Sequence, residues 1–307
     1  MSFKKKTIIG LILFVLFSTV VLSGCLNSPA VDESKTPDNS KGEGVISVAT
    51  YYIEDFNEEK AANKEVMGIL TRTIRNFDII AVQGIDDPNG KAMTALIDEI
   101  NKGKDESGQP YNYQFNLSAP VGPANDKEQY SFIYNRNAVY PASIPRLCAE
   151  PTGDVFRWEP YMLTFKPYEG TGSVLFINIH LDENNTQSEI DELNTVIERA
   201  EIVYAGQLNM TILGNLNADE PYYNNQTTPS PLKSDDYVWA TTDKCKSTID
   251  GKAYDKIIVT EEIGHFLVGS KGVFNITKEY NLTLEQAEAV SSHYPVYAEY
   301  WRYAPKT

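Results

Sequence analysis

The stretch Asp78-Ile-Ile-Ala-Val-Gln-Gly84 sets the architecture. Four apolar residues in a row, closed by a polar residue and a glycine, are too few for a helix and read as a strand buried on both faces. Helical spacing stands on either side of it. Val66, Ile69, Leu70 and Ile74 form one apolar stripe, and Met93, Leu96, Ile97 and Ile100 form a second. A strand between two amphipathic helices is the unit of an α/β domain. Further strands are expected at Ile46–Tyr52, Tyr111–Asn116, Tyr130–Asn135, Tyr161–Phe165, Val174–His180, Met210–Leu213, Lys256–Val259 and His293–Tyr303. Thr186-x-x-Glu189 has the spacing of a capping box and opens a long helix bearing Ile190, Leu193, Ile197 and Ala200. Thr283-x-x-Gln286 repeats the signal before a shorter helix. No linker or repeat interrupts the chain after residue 45, so residues 45–307 are read as one domain of packed sheets with helices outside.

Composition narrows the function. The 307 residues carry 27 Lys+Arg against 42 Asp+Glu, a formal charge of -15. Removing residues 1–24, which hold three Lys and no acid, leaves 24 against 42, or -18. Such a surface repels nucleic acid on average, so any phosphate site must be a local exception. Three His exclude a His-rich metal cluster, and three Cys give neither a disulfide framework nor a zinc spacing.

The N-terminus reads as an address. Lys4, Lys5 and Lys6 precede an apolar run from Thr7 to Leu22, shorter than the roughly 20 residues a membrane-spanning helix needs. It ends in Leu22-Ser23-Gly24-Cys25, which looks like a lipobox. Residues 1–24 are therefore expected to be a lipoprotein signal peptide, with Cys25 lipidated and residues 25–44 a flexible tether rich in Ser, Pro and Asp. This places the domain on the extracellular face of the membrane, anchored through Cys25; an uncleaved signal anchor or a secreted form leads to the same compartment. Asn-x-Ser/Thr triplets at Asn116, Asn184, Asn209, Asn225, Asn275 and Asn281 are candidate glycosylation sites. Asn209 opens an expected buried strand and is the poorest acceptor. Cys148 and Cys245 can be two free thiols or one disulfide; spacing does not decide between them.

Seven segments, in order along the chain, resemble the endonuclease/exonuclease/phosphatase superfamily, in its DNase I-like branch. Asp78–Gly84 is similar to the family's "D-I-x-x-x-Q-E" strand. Lys127–Tyr134 looks like the strand with an acid beside the first catalytic His, and Phe156-Arg-Trp-Glu-Pro160 resembles "R-E-P". Ile179-His180, Leu213–Ala218 ("G-D-F-N-A"), Ala253–Val259 ("Y-D-R-I-V-V") and Ser291–Val296 ("S-D-H-Y-P-V") complete the series. The resemblance implies a four-layer α/β/β/α sandwich with two central β-sheets flanked by helices. It also implies a site in which two His–acid pairs move protons while water attacks a phosphodiester beside a divalent ion. His180 matches the first catalytic His and Glu128 its acidic partner. His293 matches the second and Asp255 its partner. Asn217 matches a phosphate-contacting Asn.

The metal positions depart from the family. Its Glu after "V-Q" is Gly84 here, its Asp of "G-D-F-N" is Asn215, and its Asp before "H-Y-P" is Ser292. The Asn usual on the first strand is Tyr52, and the phosphate-gripping Arg is Trp158. Arg157 lies one step away, which on a strand is the other face. A hard divalent cation is held by oxygen ligands, with one or two carboxylates usual for Mg²⁺. All three family carboxylates are missing; Asp55 and Asp219 lie near but off the matched positions. No metal cofactor is expected. The expected function is that of a catalytically impaired pseudo-nuclease retained for binding or structure, with a phosphate-containing or nucleic-acid ligand as candidate. The alternative is an active extracellular nuclease or phosphodiesterase using Mg²⁺, Mn²⁺ or Ca²⁺ on rearranged ligands. Restoring Gly84→Glu, Asn215→Asp and Ser292→Asp is expected to create metal-dependent cleavage.

Overall fold

The protein was analysed as a computed structural model that describes residues 44–148, 155–170, 172–204, 209–224 and 227–302. The expected signal peptide, Cys25, all of the expected tether but Gly44, and Asn225 lie outside the described residues. The strands are β1 (Val45–Phe56), β2 (Ile79–Ile85), β3 (Tyr113–Leu117), β4 (Gln129–Asn135), β5 (Val139–Pro141), β6 (Arg146–Leu147), β7 (Tyr161–Pro167), β8 (Val174–His180), β9 (Met210–Asn215), β10 (Tyr237–Trp239), β11 (Asp255–Thr260), β12 (Leu267–Val273) and β13 (Val296–Trp301). They form two sheets. One runs β12-β13-β1-β2-β4-β3; the other runs β10-β11-β9-β8-β7-β5, with β6 also paired to β7.

Each strand sends alternate side chains to opposite faces, and the core divides accordingly. Ile46, Val48, Ile79, Ala81 and Phe132 of the first sheet meet Phe165, Phe176, Leu213 and Ile257 of the second in a central apolar layer. On the first sheet's outer face, Ala49, Tyr51, Ile53, Ile80 and Val82 pack under α2 (Lys64–Ile74), α3 (Lys91–Ile100) and α7 (Leu284–Val290). On the second sheet's outer face, Leu175, Ile177, Ile179 and Ile212 pack under α4 (Thr186–Val203). Three apolar layers separate four layers of secondary structure, as the sandwich requires. Among the described residues no helix is long and apolar enough to cross a membrane.

Polar residues cross the central layer just below one edge. Gln83 Nε2 donates to Asn178 Oδ1 at 2.6 Å and to Thr50 Oγ1 at 2.9 Å. Asn178 Nδ2 in turn donates to the carbonyls of Val82 and Ser131, both at 3.1 Å. All these groups are buried. A satisfied buried network fixes the relative slide of two sheets more sharply than apolar contact, which has no direction.

Some sequence expectations need correction. The Thr283 capping box forms, but the Thr186 one does not: α4 is capped at Asn185 without a side-chain bond. Glu189 instead turns inward, where it accepts from two backbone N–H groups in the site described below. β1 is longer than expected because a bulge after Tyr52 lets it continue to Phe56. The last strand begins at Val296, since Pro295 cannot donate to a ladder; His293 sits in an isolated bridge with Thr248. Tyr303, its expected end, is outside the described residues. The third expected strand runs Tyr113–Leu117 rather than Tyr111–Asn116. The Arg157 segment is a loop before β7, so the strand-face argument does not apply to it. Cys148 and Cys245 are both buried.

Candidate active site

Three neighbouring strands end in register. Asn215, the last residue of β9, pairs with His180 at the end of parallel β8 and with Asp255 at the start of antiparallel β11. The sequence placed these residues far apart; the sheet sets them in one row. His180 Nδ1 lies 2.9 Å from Glu128 Oε2, and His293 Nδ1 lies 2.7 Å from Asp255 Oδ2. In each pair the acid engages Nδ1, which fixes the ring and leaves Nε2 as the nitrogen that can take or give a proton. Asp255 is fully buried, and Ser247 Oγ accepts from its N–H at 3.1 Å. Burial opposes charge on the His180 ring, but Glu128, by charge and hydrogen bond, with Asp255 and Glu189 behind it, outweighs burial and holds its pKa above the ordinary value.

Glu189 ties the rim together. Its carboxylate accepts from Arg157 N at 2.8 Å and from Asp182 N at 2.7 Å, joining the loop of Trp158 to the segment that follows His180. Burial raises its pKa to about 7, against the lowering effect of those two bonds. Arg157 is bonded to Asp126 and lies with its guanidinium 5.0 Å above the Trp158 ring. It is committed to that acid rather than free to grip a phosphate. Asn217 adopts a left-handed backbone (φ 48°), and its Nδ2 donates to Leu181 O at 2.6 Å, which fixes the side chain in the turn.

The metal corner is built differently. Gly84 has φ +74°, and a Cβ placed there would lie 2.8 Å from Ile53 O and 2.9 Å from Tyr52 Cε2. The volume a Glu side chain would need is therefore filled by the Tyr52 ring and closed by backbone. Asn215 Oδ1 accepts from Asn217 N at 3.2 Å. Ser292 Oγ donates to Glu54 Oε2 at 3.2 Å. Among the described residues, no group of three or more His, Cys, Asp or Glu is arranged to hold a metal ion. The donor set does not fit the family's ion: one position has no room, one is neutral and internally bonded, and one is a hydroxyl. Asp219 pairs with Lys246 and accepts from Ala253 N, so it serves the turn; Asp55 is exposed with φ 50° at the β1 bulge.

The freed space is aromatic. Tyr52 lies between the two imidazoles, its ring centroid 4.9 Å from that of His180 and 4.9 Å from that of His293. Trp158 stacks flat on the outer side of His180 at 4.4 Å and 2°. Tyr254 follows His293 at 6.2 Å, and Tyr222 follows Tyr254 at 5.4 Å. Six rings thus line one edge of the sandwich. Burial, then the charges of Glu128 and Glu54, raise the Tyr52 hydroxyl well above its usual pKa, so it stays neutral. The motif alignment did not single out Glu54 or Lys60. Lys60 Nζ donates to the carbonyls of Glu54 and Val290, bringing a cation beside the corner that Glu54 and Ser292 share. Burial lowers its pKa, while Glu54 and Asp55 work the other way. Sequence gave no signal for either, because a bulge and a long-range contact decide their placement.

Known proteins are similar in sequence and in fold. The chain is 29% identical over 264 residues to deoxyribonuclease gamma of Homo sapiens, covering 82% of this chain and 84% of that protein. It is 29% identical over 266 residues to deoxyribonuclease-1 of Rattus norvegicus, covering 82% and 90%. In sequence the chain is thus similar to DNase I-type deoxyribonucleases, in keeping with its resemblance to the endonuclease/exonuclease/phosphatase superfamily. A solved endonuclease/exonuclease/phosphatase from Bacteroides vulgatus has the same fold, with a TM-score of 0.57 at 15% identity, covering 83% of this chain and 98% of that one. A family protein from Bacteroides thetaiotaomicron gives 0.56 at 13%, covering 83% and 97%. No family model matches the chain. Both matched His–acid pairs are formed, whereas the positions matched to the family's carboxylates present no clustered acids among the described residues.

Proposed function

We propose that this DNase I-like chain is a surface-anchored lipoprotein whose domain binds rather than cleaves, a catalytically impaired relative of the nucleases. One observation carries the reading: the Tyr52 ring sits between His180 and His293 and against Gly84, in the volume where a metal-holding carboxylate would have to be. The divalent ion of such hydrolases stabilises developing charge by several kcal/mol. Two His–acid pairs supply roughly 10²–10⁴-fold by proton transfer, a small part of a hydrolase's acceleration. The six-ring edge offers stacking surface for a base or sugar, and each stacked base is worth about 1–3 kcal/mol. Against an anionic ligand stands the charge of -18 that remains once residues 1–24 are removed; the candidate phosphate-containing ligand therefore depends on stacking more than on attraction.

Glu54 supports a second reading. It reaches Ser292 from β1, so a carboxylate stands near a position where the family has one. On that reading the protein is an extracellular nuclease or phosphodiesterase with rearranged Mg²⁺, Mn²⁺ or Ca²⁺ ligands. Plasmid and oligonucleotide cleavage by the purified protein, with each ion in turn, separates the two. The binding reading expects no turnover above background; turnover lost in both His180→Ala and Glu54→Gln would replace it with the second.

A further inference from the structure

The end of the sandwich opposite the active site is built for apolar contact. Strand directions fix which end is which: β1, β2, β8 and β9 all run toward the site, so Ile46, Ile79, Val174 and Met210 lie at the far end. There the two sheets part around a cavity of about 260 Å³ lined by Ile46, Val139, Phe165, Phe176, Ile263 and Phe266. Its size falls just below the roughly 300 Å³ at which small-molecule sites begin, which favours a hydrocarbon segment over a nucleotide. Lys166 and Arg302 also line it. Arg302 Nε is buried with no hydrogen-bond partner, and the nearest acid, the exposed Glu169, lies 4.0 Å from Nη1. Around the mouth stand Trp301, Tyr140 and Tyr168, exposed by 40%, 36% and 53%. Tyr140 and Tyr168 pack ring to ring at 5.0 Å. Trp and Tyr beside an apolar surface are the side chains favoured at a membrane–water boundary, because one end is apolar and the other hydrogen-bonds.

Where the chain enters the domain identifies the occupant. Arg302 N donates to Gly44 O at 2.7 Å, so the polypeptide joins the domain at this same end. The candidate anchor, Cys25, lies 20 residues before Val45. We infer that this end rests on the membrane surface, with the cavity taking the hydrocarbon chain of one phospholipid and Lys166 and Arg302 meeting its phosphate. The active-site edge then faces outward, away from the bilayer. Glu261 and Glu262 at the start of the helix after β11 belong to the same end, so apolar insertion rather than general charge attraction holds the contact. The orientation is independent of whether the site cleaves, and it rests on the lipoprotein reading only for the tether.

The test uses the full chain and phosphatidylcholine vesicles whose lipid chains are brominated, a short-range quencher of tryptophan. Flotation with the vesicles reports anchoring. Quenching reports the pose. The protein has three tryptophans. Trp301 alone stands at the mouth, so brominated lipid should remove about a third of the emission, and Trp301→Phe should abolish that loss. Lys166→Glu, an exposed change that puts a carboxylate beside the lipid phosphate, should shift half-saturation to higher lipid. Flotation without quenching overturns the inference and leaves the anchor standing. Quenching without flotation keeps the inference and removes the anchor. Absence of both overturns the two together.

Discussion

The proton-transfer pairs and the metal corner share one edge of the sandwich and have had opposite fates. His180–Glu128 and His293–Asp255 keep bonds of 2.9 and 2.7 Å. A few ångströms away, Gly84 has no side chain, the Tyr52 ring occupies the space, and Ser292, in the loop before β13, bonds to Glu54 of β1. The difference teaches what holds each group. The pairs hang on strand register and buried hydrogen bonds, so they persist whether or not an ion is present. The corner has no such support: its carboxylates would repel one another without a cation, and relieving that repulsion stabilises the fold.

The most demanding way to break this contrast is to rebuild the corner. Gly84→Glu, Asn215→Asp and Ser292→Asp, sufficient on sequence grounds, are expected to fail because the Tyr52 ring and the Ile53 carbonyl block residue 84. Adding Tyr52→Asn removes the ring but leaves Ile53 O 2.8 Å from the new Cβ on a left-handed backbone, so Mg²⁺-dependent plasmid cleavage is expected to stay at background. Cleavage by either variant would show that residue 84 is not blocked.

A pH series sharpens the supported side. The pKa values of Glu189 and His180 are both raised on folding. Each therefore binds more protons folded than unfolded, and its contribution is full at low pH and fades as pH rises. For Glu189 the fade runs from about 4.5 to about 7 and is worth at most about 3 kcal/mol. Urea unfolding at pH 5 and pH 8 should show the protein more stable at pH 5, with a smaller difference in Glu189→Gln. An equal difference in both proteins would remove Glu189 from the account.

Single deletions grade the contrast further. Asp255→Ala strips a fully buried acceptor from His293 and should cost roughly 2–3 kcal/mol in urea unfolding. Ser292→Ala, at the unsupported corner, should change stability by less than about 0.5 kcal/mol, since its partner Glu54 is exposed. Comparable losses in the two variants would erase the distinction between them.

Much of this was readable before any coordinates. The Asp78–Gly84 run, the helix stripes and the Thr283 box follow from local periodicity and capping, and they form as expected. The His–acid pairs were legible only through the motifs' order, because their partners are 52 and 38 residues apart. The Thr186 box misled because spacing cannot tell whether Glu189 turns back to cap its helix or inward to two buried N–H groups. Tyr52 was legible as a substitution but not as an obstacle.

Sequence by itself determined the helix stripes, the order of the elements and the absence of acids at residues 84, 215 and 292, since period and residue identity are properties of the chain alone; the four layers were expected only through the family resemblance. Only the folded protein decided that Gly84 is left-handed, that Tyr52 fills the gap between the imidazoles, and that the chain enters at the end opposite the site. Those facts depend on bulges, registers and contacts between distant segments, and a side chain's neighbours in space are fixed by the packing of the whole domain.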